Sequence, residues 1–355
     1  MEEIMGYRIG FDIGSTTIKA VVLDENNQIC YKSYERHKAQ VRQKALDKLV
    51  ELKKYTKEPF KFAISGSGAL GLSEQGELPF VQEVFASATG VSKLYPETDC
   101  AIELGGEDAK ILFFQGSVEQ RMNSTCAGGT GAFIDQMATL LNMSLEEMNE
   151  ASLNYHRLYP IASRCGVFAK TDIQPLINQG VDKCDLCASI FQAVVDQTIT
   201  SLAQGRKIEG NILFLGGPLY FMSGLRNRFV ETLKLSDVQV NCPDTAINFV
   251  ALGTAICADQ EYTYDELYKA LEDLVHAPAK LTESKPLFES EEDYQKFIER
   301  HKSHDAKYAD LKNYAGKAYL GIDSGSTTTK LVLLDENDAI LYDSYTSNKG
   351  NPLDV

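Results

Sequence analysis

The chain reads Gly10-Phe-Asp-Ile-Gly-Ser-Thr-Thr-Ile-Lys-Ala-Val-Val-Leu-Asp-Glu-Asn26 near its start, and the pattern returns as Gly321-Ile-Asp-Ser-Gly-Ser-Thr-Thr-Thr-Lys-Leu-Val-Leu-Leu-Asp-Glu-Asn337. Agreement over this length indicates an internal repeat. Each copy predicts a strand, a Gly-Ser-Thr turn, a second strand, an Asp-Glu-Asn turn and a third strand. Because the first turn leads into a strand and not into a helix, the loop is neither a Walker loop nor a dinucleotide-binding fingerprint.

Between residue 1 and about residue 258, strand-like and helix-like runs are mixed. The strand-like runs are Tyr7–Ile13, Ala20–Asp24, Phe60–Ile64, Ala101–Leu104, Lys110–Phe114 and Asn211–Leu215. The helix-like runs are Gln40–Lys53, Gly131–Asn142, Leu186–Gln204 and Thr245–Ala258. Strand meanders followed by helices, twice over, predict two α/β halves that face each other across a cleft.

Composition excludes several classes of protein. The 355 residues are too many for one compact core, and 44% apolar with 24% charged residues is typical of a folded protein. With 35 Lys and Arg against 50 Asp and Glu, the net charge of −15 argues against nucleic acid or anionic membranes as partners. We find no apolar stretch near the roughly 20 residues that span a bilayer, and no signal peptide, and therefore expect a cytoplasmic protein.

The first loop has the residue types of a phosphate site. Gly14 allows a tight turn and close approach of an anion, while Ser15, Thr16 and Thr17 add hydroxyl groups to the backbone N–H donors. Asp12 cannot lie against phosphate unaided, so we expect it to address Mg²⁺ through water, the ligand that magnesium prefers to keep.

Two further glycine loops follow strands. Glu103-Leu-Gly-Gly-Glu-Asp-Ala-Lys110 repeats the strand, glycine, acid and strand order, and Phe214-Leu-Gly-Gly-Pro218 would let adenine or ribose approach the backbone. Together the three loops resemble the phosphate-1, phosphate-2 and adenosine segments of the actin-like and sugar-kinase ATPase superfamily. This resemblance implies a ribonuclease H-like α/β fold with ATP between two subdomains.

Two cysteines have unusual neighbours. Cys126 lies in Asn123-Ser-Thr-Cys-Ala-Gly-Gly-Thr-Gly131, just before a predicted helix, and Cys165 heads a short segment that we expect to stop at Pro175. A helix N-terminus stabilises a thiolate and favours a metal–sulfur centre. Two sulfurs are half of a four-cysteine cluster shell, which a two-fold dimer would complete. The alternative is that each is a small buried apolar residue.

The segments around Cys126 and Cys165 closely resemble the BadF/BadG/BcrA/BcrD-type ATPase family, the activators of 2-hydroxyacyl-CoA dehydratases and benzoyl-CoA reductases. The resemblance implies one [4Fe–4S] cluster bridged between two subunits by these two cysteines from each. It implies that ATP hydrolysis drives transfer of a low-potential electron to a partner dehydratase or reductase, with reduced ferredoxin or flavodoxin as donor.

Carried over by position, the resemblance also assigns residues. The catalytic residues would be Asp12, Glu83, Glu103 and Asp108. The residues that bind ATP or ADP and Mg²⁺ would be Gly14, Ser15, Thr16, Thr17, Lys19, Gly105, Gly106, Glu107, Gly128, Gly129, Thr130, Gly216, Gly217 and Pro218. Glu103 stands where the family usually has Asp, and Gly129 stands where it often has Ala.

The resemblance spans about residues 7–258, and a second start lies near 319, as in the long tandem members of the family. We expect residues 1–258 to form an activator-like ATPase domain of two subdomains, about 1–98 and 99–245, with the last helix returning to the first. Residues 259–316 would form a charged helical connector, with helices at Tyr264–His276 and from Ser290, and 317–355 the start of a truncated second repeat. We interpret the chain as a fragment that forms a homodimer or, in a longer protein, a pseudo-dimer.

Two other functions fit the same residues. One is a small-molecule sugar or acyl kinase, and the other is a nucleotide-switched binding module whose cysteines only pack. We expect Cys30, Cys100, Cys242 and Cys257 to be core residues and Cys184-Asp-Leu-Cys187 to be incidental. The five histidines are scattered in polar surroundings, which argues against a histidine-based site.

Overall fold

The computed structural model describes residues 6–56, 59–123, 128–162, 166–236, 239–278, 286–302, 304–325, 328–347 and 355. The chain divides into two compact units, Met1–Pro278 and Ala279–Val355. The strands are β1 Arg8–Ile13, β2 Thr17–Leu23, β3 Ile29–Arg36, β4 Phe60–Ser65, β5 Cys100–Leu104, β6 Ala109–Phe113, β7 Glu119–Met122, β8 Ile212–Leu215, β9 Val240–Asn241, β10 Glu261–Tyr262, β11 Tyr319–Ser324, β12 Thr328–Leu334 and β13 Ile340–Ser347.

The α-helices are α1 Val41–Leu52, α2 Leu70–Gly76, α3 Glu83–Leu94, α4 Gly131–Leu141, α5 Leu145–Ser152, α6 Gly166–Asn178, α7 Lys183–Thr198, α8 Gly217–Phe221, α9 Ser223–Leu233, α10 Phe249–Cys257, α11 Tyr264–His276 and α12 Glu291–Lys302. A π turn, Ile199–Ala203, extends α7, and a 3₁₀ turn, Ala246–Asn248, precedes α10.

The first unit contains two sheets built to one plan. Their strand orders are β10-β4-β1-β2-β3 and β7-β6-β5-β8-β9. In each, three strands form an antiparallel meander, and a later strand adds in parallel to its first strand, β4 to β1 and β8 to β5. This duplicated plan confirms the predicted pair of α/β halves.

Helix α10 is in direct contact with the first sheet. A Cβ on Gly10 would lie 2.2 Å from the Ala251 carbonyl oxygen, so the helix packs against the bare backbone of β1. On its other side, a Cβ on Gly253 would lie 2.0 Å from the Ala86 carbonyl oxygen on α3. Apolar residues of α10 share one core with Leu213 of the second sheet, so this helix joins the two halves.

Two more cores lie outside this junction. In the first half, α1 and α11 cover the sheet with side chains such as Leu49, Leu267 and Leu271. In the second half, α4, α7 and α9 cover the sheet with residues that include Phe133, Phe191 and Phe229.

One helical run among the described residues, Lys183–Ala203, is long and apolar enough to span a membrane, with a mean hydropathy of 1.2. The expectation that no such stretch exists is therefore wrong. In the structure, 72% of the most apolar 18 residues of this run is buried, because the run forms the centre of the second-half core.

Helix α6 also differs from expectation, because it continues through Pro175 to Asn178 instead of stopping there. Proline in a helix interior removes one N–H donor and crowds the carbonyl four residues before it, at a cost of about 3 kcal/mol. Packing of Leu176 and Ile177 against the second-half core offsets this cost. The helix resumes its bonding at once, since the Gln179 N–H donates to the Pro175 carbonyl at 3.0 Å.

Both helices predicted between the repeats are present. A capping box between Thr263 and Glu266 starts α11, and its apolar stripe of Leu267, Leu271 and Leu274 is buried within the first unit. The Ser290 hydroxyl accepts from the Asp293 N–H at 3.2 Å at the start of α12. The domain boundaries at 258 and 317 stay predictions.

The second unit contains a three-stranded antiparallel sheet in the order β11-β12-β13. Asp323 faces Lys330 in register, and the Gly325 N–H donates to the Thr328 carbonyl at 2.9 Å. Every residue of β11 is exposed, whereas the equivalent β1 is buried along most of its length.

We predict that Gly253→Ala destabilises the first unit by about 2 kcal/mol or more, because its Cβ would overlap the Ala86 carbonyl. Thermal unfolding followed by circular dichroism measures this. Gly71→Ala is the matched control, since a Cβ there meets no described atom within 4 Å. Equal melting temperatures for the two variants would contradict the packing argument.

Candidate functional site

The β1–β2 turn presents the first predicted phosphate loop. The Gly14 N–H donates to the Thr17 carbonyl at 2.9 Å and closes the turn. Ser15 and Thr16 at the tip are exposed, while Thr17 is buried at the start of β2. The tip is therefore free to receive a ligand, and its base is held by the sheet.

The β5–β6 turn repeats this geometry in the second half. The Gly105 N–H donates to the Asp108 carbonyl at 2.8 Å. A Cβ on Gly106 would lie 3.6 Å from the Thr16 hydroxyl oxygen, so the two loops approach each other from opposite halves. The structure thus brings together the two predicted phosphate loops, 1 and 2.

A carboxylate and a lysine face each other across each hairpin. Asp12 pairs in register with Lys19, and their Oδ2 and Nζ atoms are 2.8 Å apart. Glu103 pairs in register with Lys110, with Oε1 and Nζ 3.4 Å apart. Burial lowers the pKa of Lys19, but the charge and hydrogen bond of Asp12, together with Tyr34 and Glu103, raise it above its ordinary value, so the ammonium stays charged.

The other carboxylate oxygen of Asp12 is buried without a partner among the described residues. Asp12 is 1% exposed, and its Oδ1 is buried without a hydrogen-bond partner among the residues that the structure describes. Burying an acceptor costs free energy unless a donor or a cation interacts with it.

Lys110 is the centre of a larger acidic cluster. Its Nζ lies 2.9 Å from Asp108, 3.2 Å from Glu83 and 3.4 Å from Glu103. Burial lowers the pKa of Lys110, but these carboxylates raise it well above its ordinary value. The added methylene of Glu103 lets its Oε2 accept from the Ser87 hydroxyl at 2.9 Å, which ties the second sheet to α3.

Glu83 begins α3 and faces this cluster. Burial raises its pKa to about 7, and the charges of Asp12, Glu103 and Asp108 add to the rise, while Lys110 opposes it. A carboxyl that titrates near neutrality in a cleft can hold or release a proton under working conditions.

The start of α4 is bonded to the second loop. The Gly131 N–H donates to the Gly105 carbonyl at 2.9 Å, and the Ala132 N–H donates to the Gly106 carbonyl at 2.7 Å. Before the helix, Thr130 is fully buried, and Gly129 has a φ of +84° beside Gln197. Helix α4 therefore sets the position of loop 2.

The third glycine loop lies beside the other two. Gly216 has a φ of +87°, and a Cβ there would lie 2.0 Å from the Leu104 carbonyl oxygen. A Cβ on Gly217 would lie 3.7 Å from the Tyr34 hydroxyl oxygen. A Cβ on Gly131, at the start of α4, would lie 3.3 Å from the Pro218 side chain. The predicted adenosine loop thus lies between β3 and the start of α4.

The environment of His37 differs from what its sequence neighbours predict. Those neighbours are polar, but His37 is 3% exposed and its Nε2 lies 3.0 Å from the Gly14 carbonyl oxygen. The contact joins residues 23 positions apart, and no local pattern in the sequence predicts it.

The predicted cluster ligands Cys126 and Cys165 lie outside the described residues. Within the described ranges, no three His, Cys, Asp or Glu side chains converge as a metal site. Cys187 is buried 3.9 Å from the Met143 sulfur, whereas Cys184 is half-buried. The expectation that Cys30 is a core residue is wrong, because it lies on the exposed edge strand β3.

Known proteins are similar to this chain over the range that contains the three loops. The profile of the BadF/BadG/BcrA/BcrD ATPase family matches residues 9–258. The activator of lactoyl-CoA dehydratase from Anaerotignum propionicum is 29% identical over 258 residues, which cover 71% of this chain and 97% of that protein.

Two solved structures are similar over most of their length. Component A of (R)-2-hydroxyglutaryl-CoA dehydratase from Acidaminococcus fermentans has a TM-score of 0.62 at 26% identity, covering 75% of this chain and 99% of that one. The activator of 2-hydroxyisocaproyl-CoA dehydratase from Clostridium difficile, with bound ADPNP, has a TM-score of 0.63 at 26% identity, covering 77% and 98%. The predicted actin-like ATPase fold is confirmed.

We predict that Glu83→Gln reduces the loss of stability between pH 5 and pH 8. The raised pKa means that folded Glu83 keeps a proton that the unfolded chain releases above its ordinary pKa of 4.5. Its stabilising contribution is complete below that value and is lost as the pH rises through about 7. Melting temperatures at both pH values measure the effect, and an unchanged difference in the variant would contradict it.

Proposed function

Because the chain belongs to the BadF/BadG/BcrA/BcrD ATPase family, we propose that it hydrolyses ATP between its two α/β halves to drive transfer of a low-potential electron to a partner enzyme. The observation that carries the proposal is the pair of facing phosphate loops, each backed by a carboxylate–lysine pair. All of these residues lie within the matched range.

In this proposal the loop tips bind the phosphates. Backbone N–H groups and hydroxyls of Ser15 and Thr16 would contact them from one side, and the backbone N–H groups of Gly106 and Glu107 from the other. Gly105 would let the phosphates approach the turn that its own N–H closes on Asp108. Such nests of N–H donors suit anions even in an acidic protein, because the donors are local and partly positive. Lys19, a lysine that stays charged beside Asp12, would balance the remaining negative charge.

Asp12 and Asp108 would face Mg²⁺. The unpartnered, buried Oδ1 of Asp12 fits this assignment, since it is an acceptor that a hydrated cation can complete. Magnesium bound by one or two carboxylates, phosphate and water needs no dedicated protein cage. Bound there, Mg²⁺ would neutralise phosphate charge.

Glu83 would orient the attacking water and take its proton. Its pKa of about 7 leaves an appreciable fraction ionised at neutral pH while keeping the carboxylate basic. Glu103, tied to Ser87 and Lys110, would position this cluster instead of binding metal directly.

On the adenosine side, Gly216, Gly217 and Pro218 would contact the nucleoside. Gly216 packs directly against the backbone of β5, so the nucleoside would meet main-chain atoms of this loop. Thr130, Gly128 and Gly129 would support the phosphate side through α4.

Cys126 and Cys165 would hold a [4Fe–4S] cluster with the same pair from a second copy or from a second repeat. Helix α6 begins at Gly166, directly after Cys165, and α4 begins shortly after Cys126. In the sequence Cys165 directly precedes α6, and a helix start would favour its thiolate. Cys126 precedes the first residue of α4 by five positions. When bound, the cluster would supply a one-electron carrier.

The relatives support a proposal for the partner. They include activators of 2-hydroxyisocaproyl-CoA, (R)-2-hydroxyglutaryl-CoA and lactoyl-CoA dehydratases, and a benzoyl-CoA reductase subunit from Thauera aromatica is also similar. We therefore propose an acyl-CoA dehydratase or reductase as electron acceptor and reduced ferredoxin or flavodoxin as donor.

We predict that Asp12→Asn lowers Mg²⁺-dependent ATP hydrolysis at least about 100-fold, because it weakens both the magnesium site and the bond to Lys19. Release of phosphate from ATP measures the rate. Asp323→Asn is the matched control, since Asp323 forms the same pair with Lys330 in the second repeat. Similar losses in both variants would contradict the assignment.

We predict that Cys126→Ser and Cys165→Ser each abolish iron–sulfur absorbance after anaerobic reconstitution, while ADPNP binding is retained. Ultraviolet–visible spectra with iron and sulfide analysis measure this. Cys30→Ser is the control, because Cys30 is exposed on β3. A full cluster in both serine variants would refute the ligand assignment.

A further inference from the structure

His37 is held by two hydrogen bonds that define its protonation. The Ala39 N–H donates to Nδ1 at 3.2 Å, so Nδ1 carries no proton. Neutral imidazole then has its proton on Nε2, which lies 3.0 Å from the Gly14 carbonyl oxygen. A carbonyl can only accept, so the ring donates to Gly14.

The backbone around His37 is shaped for this contact. Lys38 and Ala39 both have left-handed φ values, +48° and +62°, which non-glycine residues rarely adopt. This conformation turns the Ala39 N–H back onto the ring. The His37 N–H also donates to the Thr16 carbonyl at 3.1 Å, so the same residue holds the loop at two points.

The bond to Gly14 determines where the loop's donors point. In a trans peptide, the carbonyl of one residue and the N–H of the next point in opposite directions. With the Gly14 carbonyl directed at His37 in the protein interior, the Ser15 N–H is directed away from it. Ser15 is exposed at the loop tip. It is adjacent to Thr16, whose hydroxyl oxygen lies 3.6 Å from where a Cβ on Gly106 of loop 2 would lie.

We propose that His37 is a positioning residue for the nucleotide phosphates: its Nε2–H bond to the Gly14 carbonyl aims the Ser15 N–H into the cleft. The proposal rests on the proposed ATP site. The ring touches neither substrate nor metal and acts through the peptide bond that joins Gly14 to Ser15.

Two substitutions separate the two ring bonds. His37→Gln places an amide nitrogen near the position of Nε2 and so keeps a donor for the Gly14 carbonyl. His37→Asn places an acceptor near the position of Nδ1 and leaves the Gly14 carbonyl without its donor. Loss of one hydrogen bond corresponds to roughly a tenfold change in affinity. We expect the Kd for Mg-ADPNP to rise about tenfold in H37N and less than about threefold in H37Q. Binding of adenosine, which lacks phosphates, should be equal in both.

Isothermal titration calorimetry on the full chain gives these constants, and melting curves confirm that the variants are folded. Failure of the unmodified chain to bind Mg-ADPNP would overturn the proposed ATP site and this inference with it. If the unmodified chain binds Mg-ADPNP, either of two results would overturn the inference alone. One is an equal Kd for Mg-ADPNP in H37N and H37Q, and the other is a rise in the Kd for adenosine in H37N as large as the rise for Mg-ADPNP.

The unmodified protein offers a second readout that does not depend on how the variants fold. Nitrogen-15 spectra of the histidine rings should show His37 protonated on Nε2 and unprotonated on Nδ1, and Mg-ADPNP should shift its Nε2 signal while adenosine should not. A proton on Nδ1, or an Nε2 signal that ignores the nucleotide, would overturn the proposal.

Discussion

The cross-strand bond between a carboxylate and a lysine is the interaction on which the site depends. Asp12 with Lys19 and Glu103 with Lys110 each close one hairpin just below its proposed phosphate loop. Burying such charges is expensive unless each has a partner, so removal of one partner leaves the other uncompensated. The pairs therefore require both loops to keep their position, and they place charged groups of both signs at the base of the cleft.

The cleft itself depends on close backbone packing at α10. This helix lies on β1 at Gly10 and against α3 at Gly253, and its apolar face also enters the core of the second half. Glu83 opens α3, so the helix that carries the titrating carboxyl is anchored by the same contact. A single helix near the end of the first unit thus aligns loop 1, Glu83 and the second sheet.

Local patterns predicted much of this arrangement. Alternating apolar runs and glycine turns predicted the hairpins, the three loops and helices such as α4 and α11, because neighbours in sequence determine those features. The errors concern residues whose environment comes from distant parts of the chain. Cys30 lies in an apolar run but on an edge strand, and His37 has polar neighbours but is buried under Gly14. Pro175 favours a helix end by its local chemistry, but α6 continues through it because Leu176 and Ile177 pack against the second-half core.

The two copies of the repeat show where local information ends. From their residues alone, both form an antiparallel hairpin with an acid facing a lysine, at 2.8 Å for Asp12 and 2.7 Å for Asp323. Cross-strand register and turn chemistry are short-range, so the same residues fold alike in both places. Burial is not short-range: β1 is covered by helices such as α10, whereas β11 is exposed throughout. Only the tertiary structure made one hairpin part of a cleft, because the second loop, α3 and α10 come from elsewhere in the chain.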